Sequence, residues 1–287
     1  MFVDSVLWVT YLRWLDRPAV KEPIVIASFE GWNDAGEAAS QTVRLLERWL
    51  DATPFVDIDP EEFFDFTVVR PHIGSDGDGI RRIDWPENVF RVATPEGSPP
   101  IVLLCGIEPQ LRWRAFSHCV LEVAQHLDAR LVLTLGSLLA EVPHTRPSQV
   151  FGAAGNVEVS RILDYEPSRY EGPTGISGVL HELCATRGTH SASLWATVPS
   201  YVPSAPSPKA TRALAVEVSR ILGIDLPIEE LDDDVEDYDR QITDMVSEDD
   251  DTVTYVAHLE ERYDREALAG HSADALVSEV EAFLRDQ

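Results

Sequence analysis

Six residues of this chain sit where polar side chains can do chemistry: Glu30, Asn33, Asp34, Glu108, His144 and Arg146. Each follows a short apolar run, and in an open α/β sheet ligands bind beyond the carboxyl ends of the strands. His144 and Arg146 lie on a polar loop with Glu141, Pro143 and Pro147. They can bind an anion or polarise a carbonyl. They can also simply tie the loop to backbone carbonyls or to Glu141. Glu30, Asp34 and Glu108 stand at two other strand ends, where carboxylates can converge as an acid/base pair. They can equally cap helix N-termini, and capping is the preferred reading. The six form a candidate ligand or partner rim, with no catalytic residue assigned among them.

Known reaction signatures are absent. There is no GxGxxG and no GxxxxGK[ST], so no nucleotide site is indicated. Gly175-Ile176-Ser177-Gly178 is not GxSxG, and Gly136-Ser137 lacks the second glycine of a nucleophile elbow. His181-Glu182 has no second histidine four residues after the first. His118 and His126, on a core-packing helix, read as structural. The 74–79 Gly/Asp loop lacks the terminal glutamate of an EF-hand and reads as a turn. No metal and no cofactor are expected.

The positioning elements follow from periodicity. Residues 23–29, 101–105 and 131–135 are short apolar runs that read as buried strands, the last bounded by Gly136. Residues 149–154 are rich in small residues and suit close backbone approach. Helices are expected at about 37–50, 111–127, 156–163, 176–186 and 209–222. Asp34 and Glu37 resemble a capping box. The 101–135 unit is βαβ, which implies parallel strands. Residues 54–58 and 191–198 are strands, whereas 67–70, 80–85 and 89–93 read as antiparallel hairpins or an edge elaboration. Residues 6–15 are an edge strand or a short helix. After Gly223, Ile228, Leu231, Val235, Tyr238, Ile242 and Met245 form a near-heptad stripe. Val256, Leu259 and Tyr263 repeat it, as do Ala273, Leu276, Val280 and Phe283. The run Asp232-Asp233-Asp234, with Glu236 and Asp237, reads as a solvated helix face. The expected division is an α/β domain over 1–222 and an acidic helical subdomain over 223–287.

Charge restricts the partners. Against 23 Lys and Arg stand 50 Asp and Glu, a formal charge of -27. Such a surface repels nucleic acid and anionic lipid, so neither is an expected partner. Cys105, Cys119 and Cys184 are scattered, without CxxC spacing, and read as core residues in a reducing compartment. The apolar start has Asp4 within it and no basic n-region, and no uncharged run of 18 residues occurs. A cytoplasmic protein is expected.

Five stretches in order, GWNDAGEAAS, GIEPQLRW, GSLLAEVPHTRP, TGISGVLHELC and VPSYVPSAPSPKAT, resemble the PAC2 (proteasome assembly chaperone 2) family. With its acidic helical C-terminus the chain is similar to the long actinobacterial form. The resemblance implies a three-layer α/β/α domain of the phosphorylase/hydrolase-like type with a mostly parallel mixed sheet. It also implies a homo-oligomer, expected as a trimer, and proteasome subunits or another protein as partner. Archaeal relatives bind the proteasome through a C-terminal hydrophobic–Tyr–any motif. This chain ends Phe283-Leu284-Arg285-Asp286-Gln287, without a penultimate tyrosine, so docking by the tail is not carried over. The family supplies no catalytic residues. The preferred function is therefore a non-enzymatic chaperone or scaffold. The alternative is a small-molecule binder or enzyme using the strand-end rim, an argument from fold analogy alone.

Overall fold

Strand β2 (Ile24–Glu30) is buried along its whole length except at Glu30, so both faces of the sheet around it must be covered. The computed structural model, which describes residues 11–75, 79–168 and 170–269, shows how. Side chains alternate across the strand. Val25, Ala27 and Phe29 enter one core, which α2 (Trp113–His126) and α4 (Ile176–Arg187) close with Phe116, Val120, Val123, Leu180 and Cys184. Ile24 and Ile26 enter the other, which α1 (Ala38–Trp49) and α5 (Pro208–Leu222) close with Val43, Leu46, Leu214 and Val218. The sheet thus lies between two helical layers.

Eight strands run in the order β1 (Leu12–Trp14), β3 (Thr53–Ile58), β6 (Asn88–Ala93), β7 (Ile101–Ile107), β2, β8 (Leu131–Ala140), β10 (Ser191–Pro199), β9 (Val150–Ala154). This overturns the expectation of a mostly parallel sheet. The pairings β2–β7, β2–β8 and β8–β10 are parallel. The pairings β1–β3, β3–β6, β6–β7 and β9–β10 are antiparallel, so four of the seven strand pairings are antiparallel and three parallel. The cause is local. A short connection joins β6 directly to β7, and a hairpin can only pair antiparallel. The 89–93 segment is therefore part of the main sheet and not an edge elaboration. The phosphorylase/hydrolase-like designation, which came with the family resemblance, is not retained.

Three further expectations change. Residues 67–70 form no strand, because the Asp65 carboxylate accepts from the backbone N–H and the hydroxyl of Thr67 and closes a turn. Strand β8 runs through Gly136 to Ala140; a Cβ at 136 would lie 2.5 Å from the Trp195 ring, so glycine here admits a neighbour and does not end the strand. Near the C-terminus Val246 is buried and Met245 is 46% exposed, so the apolar stripe steps by four after Ile242.

Two strands stand apart as a ribbon, β4 (His72–Ser75) with β5 (Arg81–Asp84). The short helix α3 (Val157–Leu163) starts at Asn156, whose side chain accepts from Glu158 and Val159. Helices α6 (Asp232–Val246) and α7 (Asp250–Ala269) bury Tyr238, Ile242, Val246 and Val256 against Val202 and Tyr201. The side chains of Asp232, Asp233, Asp234, Glu236 and Asp237 are exposed. The expected stripe at Ala273, Leu276, Val280 and Phe283, the first part of the 6–15 segment and the tip of the 74–79 loop lie outside the described residues. Among the described residues no helix is long and apolar enough to cross a membrane.

Candidate functional site

The end of β2 gathers four of the six candidates. Glu30 pairs with Arg44 of α1. Gly31 follows with φ +133°, a conformation that L side chains rarely adopt. The chain then turns past Trp32 and Asn33 to Asp34. The Asp34 Oδ1 accepts the N–H groups of Ala39 (2.8 Å) and Ser40 (3.1 Å), both in the first turn of α1. That carboxylate replaces the expected capping box: Glu37 adopts φ +53° and makes no side-chain cap. Desolvation by burial raises the Asp34 pKa above the usual carboxylate value, with Glu30 adding to it; the nearby Ser40 hydroxyl and the two N–H bonds only partly oppose it. Its Oδ2 is buried without a hydrogen-bond partner, as is Asn33 Nδ2. Glu108, beyond β7, directs Oε1 to the N–H of Ile176 at 2.8 Å and so caps α4.

Strand β8 and the proline loop complete this corner. Ser137 donates its N–H to Asn33 O (2.8 Å) and its hydroxyl to Ala35 O (2.7 Å). At Gly36, φ is +58° and a Cβ would come within 2.9 Å of Ser207 Cβ; the Ser207 N–H donates to Gly36 O at 2.8 Å. Between these walls lies an open cleft of about 380 Å³, lined by Trp32, Asp34, Glu37, Leu138, Leu139, Pro203 and Pro206 among others. Of the six candidates, Asp34 alone lines it.

His144 and Arg146 are drawn elsewhere, under α6 and α7. The His144 ring is 2% exposed. Its Nδ1 lies 2.8 Å from the Tyr201 hydroxyl and its Nε2 3.0 Å from Thr243 Oγ1. Thr243 already donates its hydroxyl proton to Asp239 O, so Nε2 is the donor and Nδ1 accepts from Tyr201. The Tyr201 oxygen in turn accepts the His144 backbone N–H at 2.7 Å. Burial lowers the His144 pKa, with Asp239 and Glu260 opposing and Lys209 adding to the effect. Arg146 grips Asp264 with two bonds of 2.8 Å and reaches Glu260 at 3.4 Å. Arg262 bonds Glu141. The cavity beside His144 is about 10 Å³, room for one water at most.

Among the described residues no group of three His, Cys, Asp or Glu side chains can hold a metal ion. Burial pushes the Cys105 thiol up to about 11, away from nucleophilic use. Sequence reasoning passed over Trp32, Pro203 and Pro206 as site residues. An aromatic in a polar turn and prolines in a long loop were the available signals. The partners of His144 and Arg146 lie 57 to 118 residues away and carry no local signal.

The geometry describes an α/β domain whose strand-end carboxylates cap its own helices, beside an open acidic cleft. The chain belongs to the PAC2 family, whose profile matches residues 28–246. A PAC2 family protein from Streptomyces avermitilis is 41% identical with a TM-score of 0.76, over 82% of this chain and 99% of that one. A proteasome-assembly chaperone homologue from Mycobacterium tuberculosis is 42% identical with a TM-score of 0.73, over 81% and 99%. A Mycobacterium tuberculosis protein of unknown function is 26% identical with a TM-score of 0.82, over 96% of each chain. No curated protein matches. The five sequence stretches thus pointed to the right family, and its homologues include actinobacterial proteins.

Proposed function

We propose that this protein is a non-enzymatic chaperone or scaffold of the long actinobacterial PAC2 type, acting on proteasome subunits or their precursors in the cytoplasm. The observation that carries the reading is the 42% identity, over nearly the whole of that relative, to a proteasome-assembly chaperone homologue. The side chains available for catalysis support it. Asp34 and Glu108 cap helices, Glu30 and Arg146 are ion-paired, and both ring nitrogens of His144 are bonded. Each of these groups already serves the fold through at least one of its atoms. In this reading the chain divides into an α/β domain over 1–222 and an acidic helical subdomain over 223–287, and the protein is a homotrimer.

The test is a pull-down of the tagged full chain from its own host's lysate, with mass spectrometry of what is retained. Proteasome subunits or precursors are expected. Recovery of the bait alone would sink the proteasome reading. Light scattering on the purified protein gives the trimer or refutes it.

A further inference from the structure

The ribbon of β4 and β5 leaves an apolar face open among the described residues. The two strands form a sheet of their own, in which Ile73 faces Ile83, Gly74 faces Arg82 and Ser75 faces Arg81. Side chains alternate across a ribbon, so Ile73, Ser75, Arg81 and Ile83 share one face while His72, Arg82 and Asp84 share the other. The second face carries its own ion pair, with Arg82 Nε 2.7 Å from Asp84 Oδ1. On the first face Ile73 is 63% and Ile83 51% exposed. Trp85, just past β5 and edge-on to Phe66, is 47% exposed. A two-stranded ribbon is marginal in water until such a face is packed on something.

The geometry points to this face as the contact between copies of the chain, the ribbon of one copy lying on an acidic surface of the next, head to tail around the trimer. Charge selects the occupant. In residues 66–85, Arg70, Arg81 and Arg82 balance Asp76, Asp78 and Asp84, so the formal charge of -27 falls wholly on the rest of the chain. Two copies therefore repel over most of their surfaces, and the ribbon is where they can approach. Its apolar face holds Arg81 and no carboxylate. A twofold pairing of two such faces leaves Arg81 unmatched, whereas an acidic surface of the next copy matches it. A head-to-tail contact of this kind closes into a ring. A client protein can also bring carboxylates, but only while it is bound. A second copy is present whenever the chain is, and an open ribbon with an apolar face needs its cover throughout. This assignment rests on the homotrimer of the reading above and adds the surface that builds it.

The test is light scattering of the full-length protein over a dilution series. Ile73→Thr combined with Ile83→Thr keeps two good strand formers and removes the apolar pair. The double variant should be monomeric at concentrations where the wild type is a trimer, with an unchanged far-ultraviolet circular dichroism spectrum. Arg81→Glu should weaken association by about tenfold. A photoreactive benzophenone amino acid in place of Ile83 should cross-link to a second copy, at a peptide outside residues 66–85. A trimer left intact by both sets of substitutions, or a cross-link from ribbon to ribbon, overturns the assignment and spares the trimer. A monomeric wild type sinks the trimer and the ribbon contact together, and leaves the chaperone reading to the pull-down.

Discussion

Two strand-end corners of this protein handle buried polar groups in opposite ways. At the end of β2, each carboxylate is used within the core domain: Asp34 holds α1 and Glu108 holds α4. One side of Asp34 is left without a partner. At the end of β8, the candidate side chains are all partnered from a distance. His144 is closed by Tyr201 and Thr243, and Arg146 and Glu141 are closed by α7. The first corner opens on a cleft; the second is roofed by helices far along the chain. A polar residue at a strand end therefore says only that it needs partners, and the fold decides whether those partners come from within. The corners also respond to pH with opposite sign. Asp34, raised by burial, contributes stability below its unfolded pKa and loses it as the pH rises through its folded value. His144, lowered by burial, contributes stability above its unfolded pKa and loses it as the pH falls through its folded value.

The largest effect is expected at the hinge of the cleft. Gly36→Ala places a side chain in the left-handed region and within 2.9 Å of Ser207 Cβ, so about 3 kcal/mol should be lost. Urea denaturation measures it. A loss under about 1 kcal/mol would mean that the proline loop yields easily, and the contrast between an ordered cleft and a roofed loop would weaken. Next comes His144→Ala, which strips the buried Tyr201 hydroxyl of a partner and should cost about 2 kcal/mol. In the wild type, the protection of α6 amides, corrected for intrinsic exchange, should fall as the pH falls below about 6.5, because a protonated Nδ1 faces the Tyr201 hydroxyl proton. The groups facing that ring are Tyr201, Lys209, Asp239, Thr243 and Glu260. The same pH dependence in His144→Ala would locate the titration elsewhere.

What could be read from the chain divides along the same line. The β2 corner was legible because its parts are close in sequence: strand, turn, Asp34 and α1 fall within about thirty residues, and the pattern of apolar run, glycine and acid has a local cause. The role of Glu108 was open between acid/base work and capping until Ile176, 68 residues on, came into reach. The sheet was misjudged where local signals mislead. The βαβ unit at 101–135 does belong to the parallel part, but the mostly parallel sheet implied by the resemblance gave too little weight to the antiparallel strands on either side. The His144 corner was not legible at all, since Tyr201, Thr243 and Asp264 meet it only after α6 and α7 dock.

Asp34→Asn offers a smaller effect of opposite sign to the first two. The amide keeps an oxygen for Ala39 and Ser40 and removes a charge that burial disfavours. Stability at neutral pH should therefore rise by about 1 kcal/mol, and the gain should vanish in acid, where the native carboxyl is already protonated. A loss at neutral pH would instead mean that the charge supports the α1 N-terminus more than burial opposes it.

The smallest effect separates the roof from what lies under it. Arg146 and Arg262 hold α7 by ion pairs that remain partly open to water. Such pairs are weak and screened by salt. Arg146→Ala should leave the midpoint of global unfolding unchanged while speeding amide exchange over the second half of α7, and only at low ionic strength. High salt should bring the wild type to the same exchange pattern. If exchange is unchanged in both cases, burial of Val256 and Leu259 alone keeps α7 in place. The His144 corner would then be closed by packing, with its ion pairs incidental to the roof.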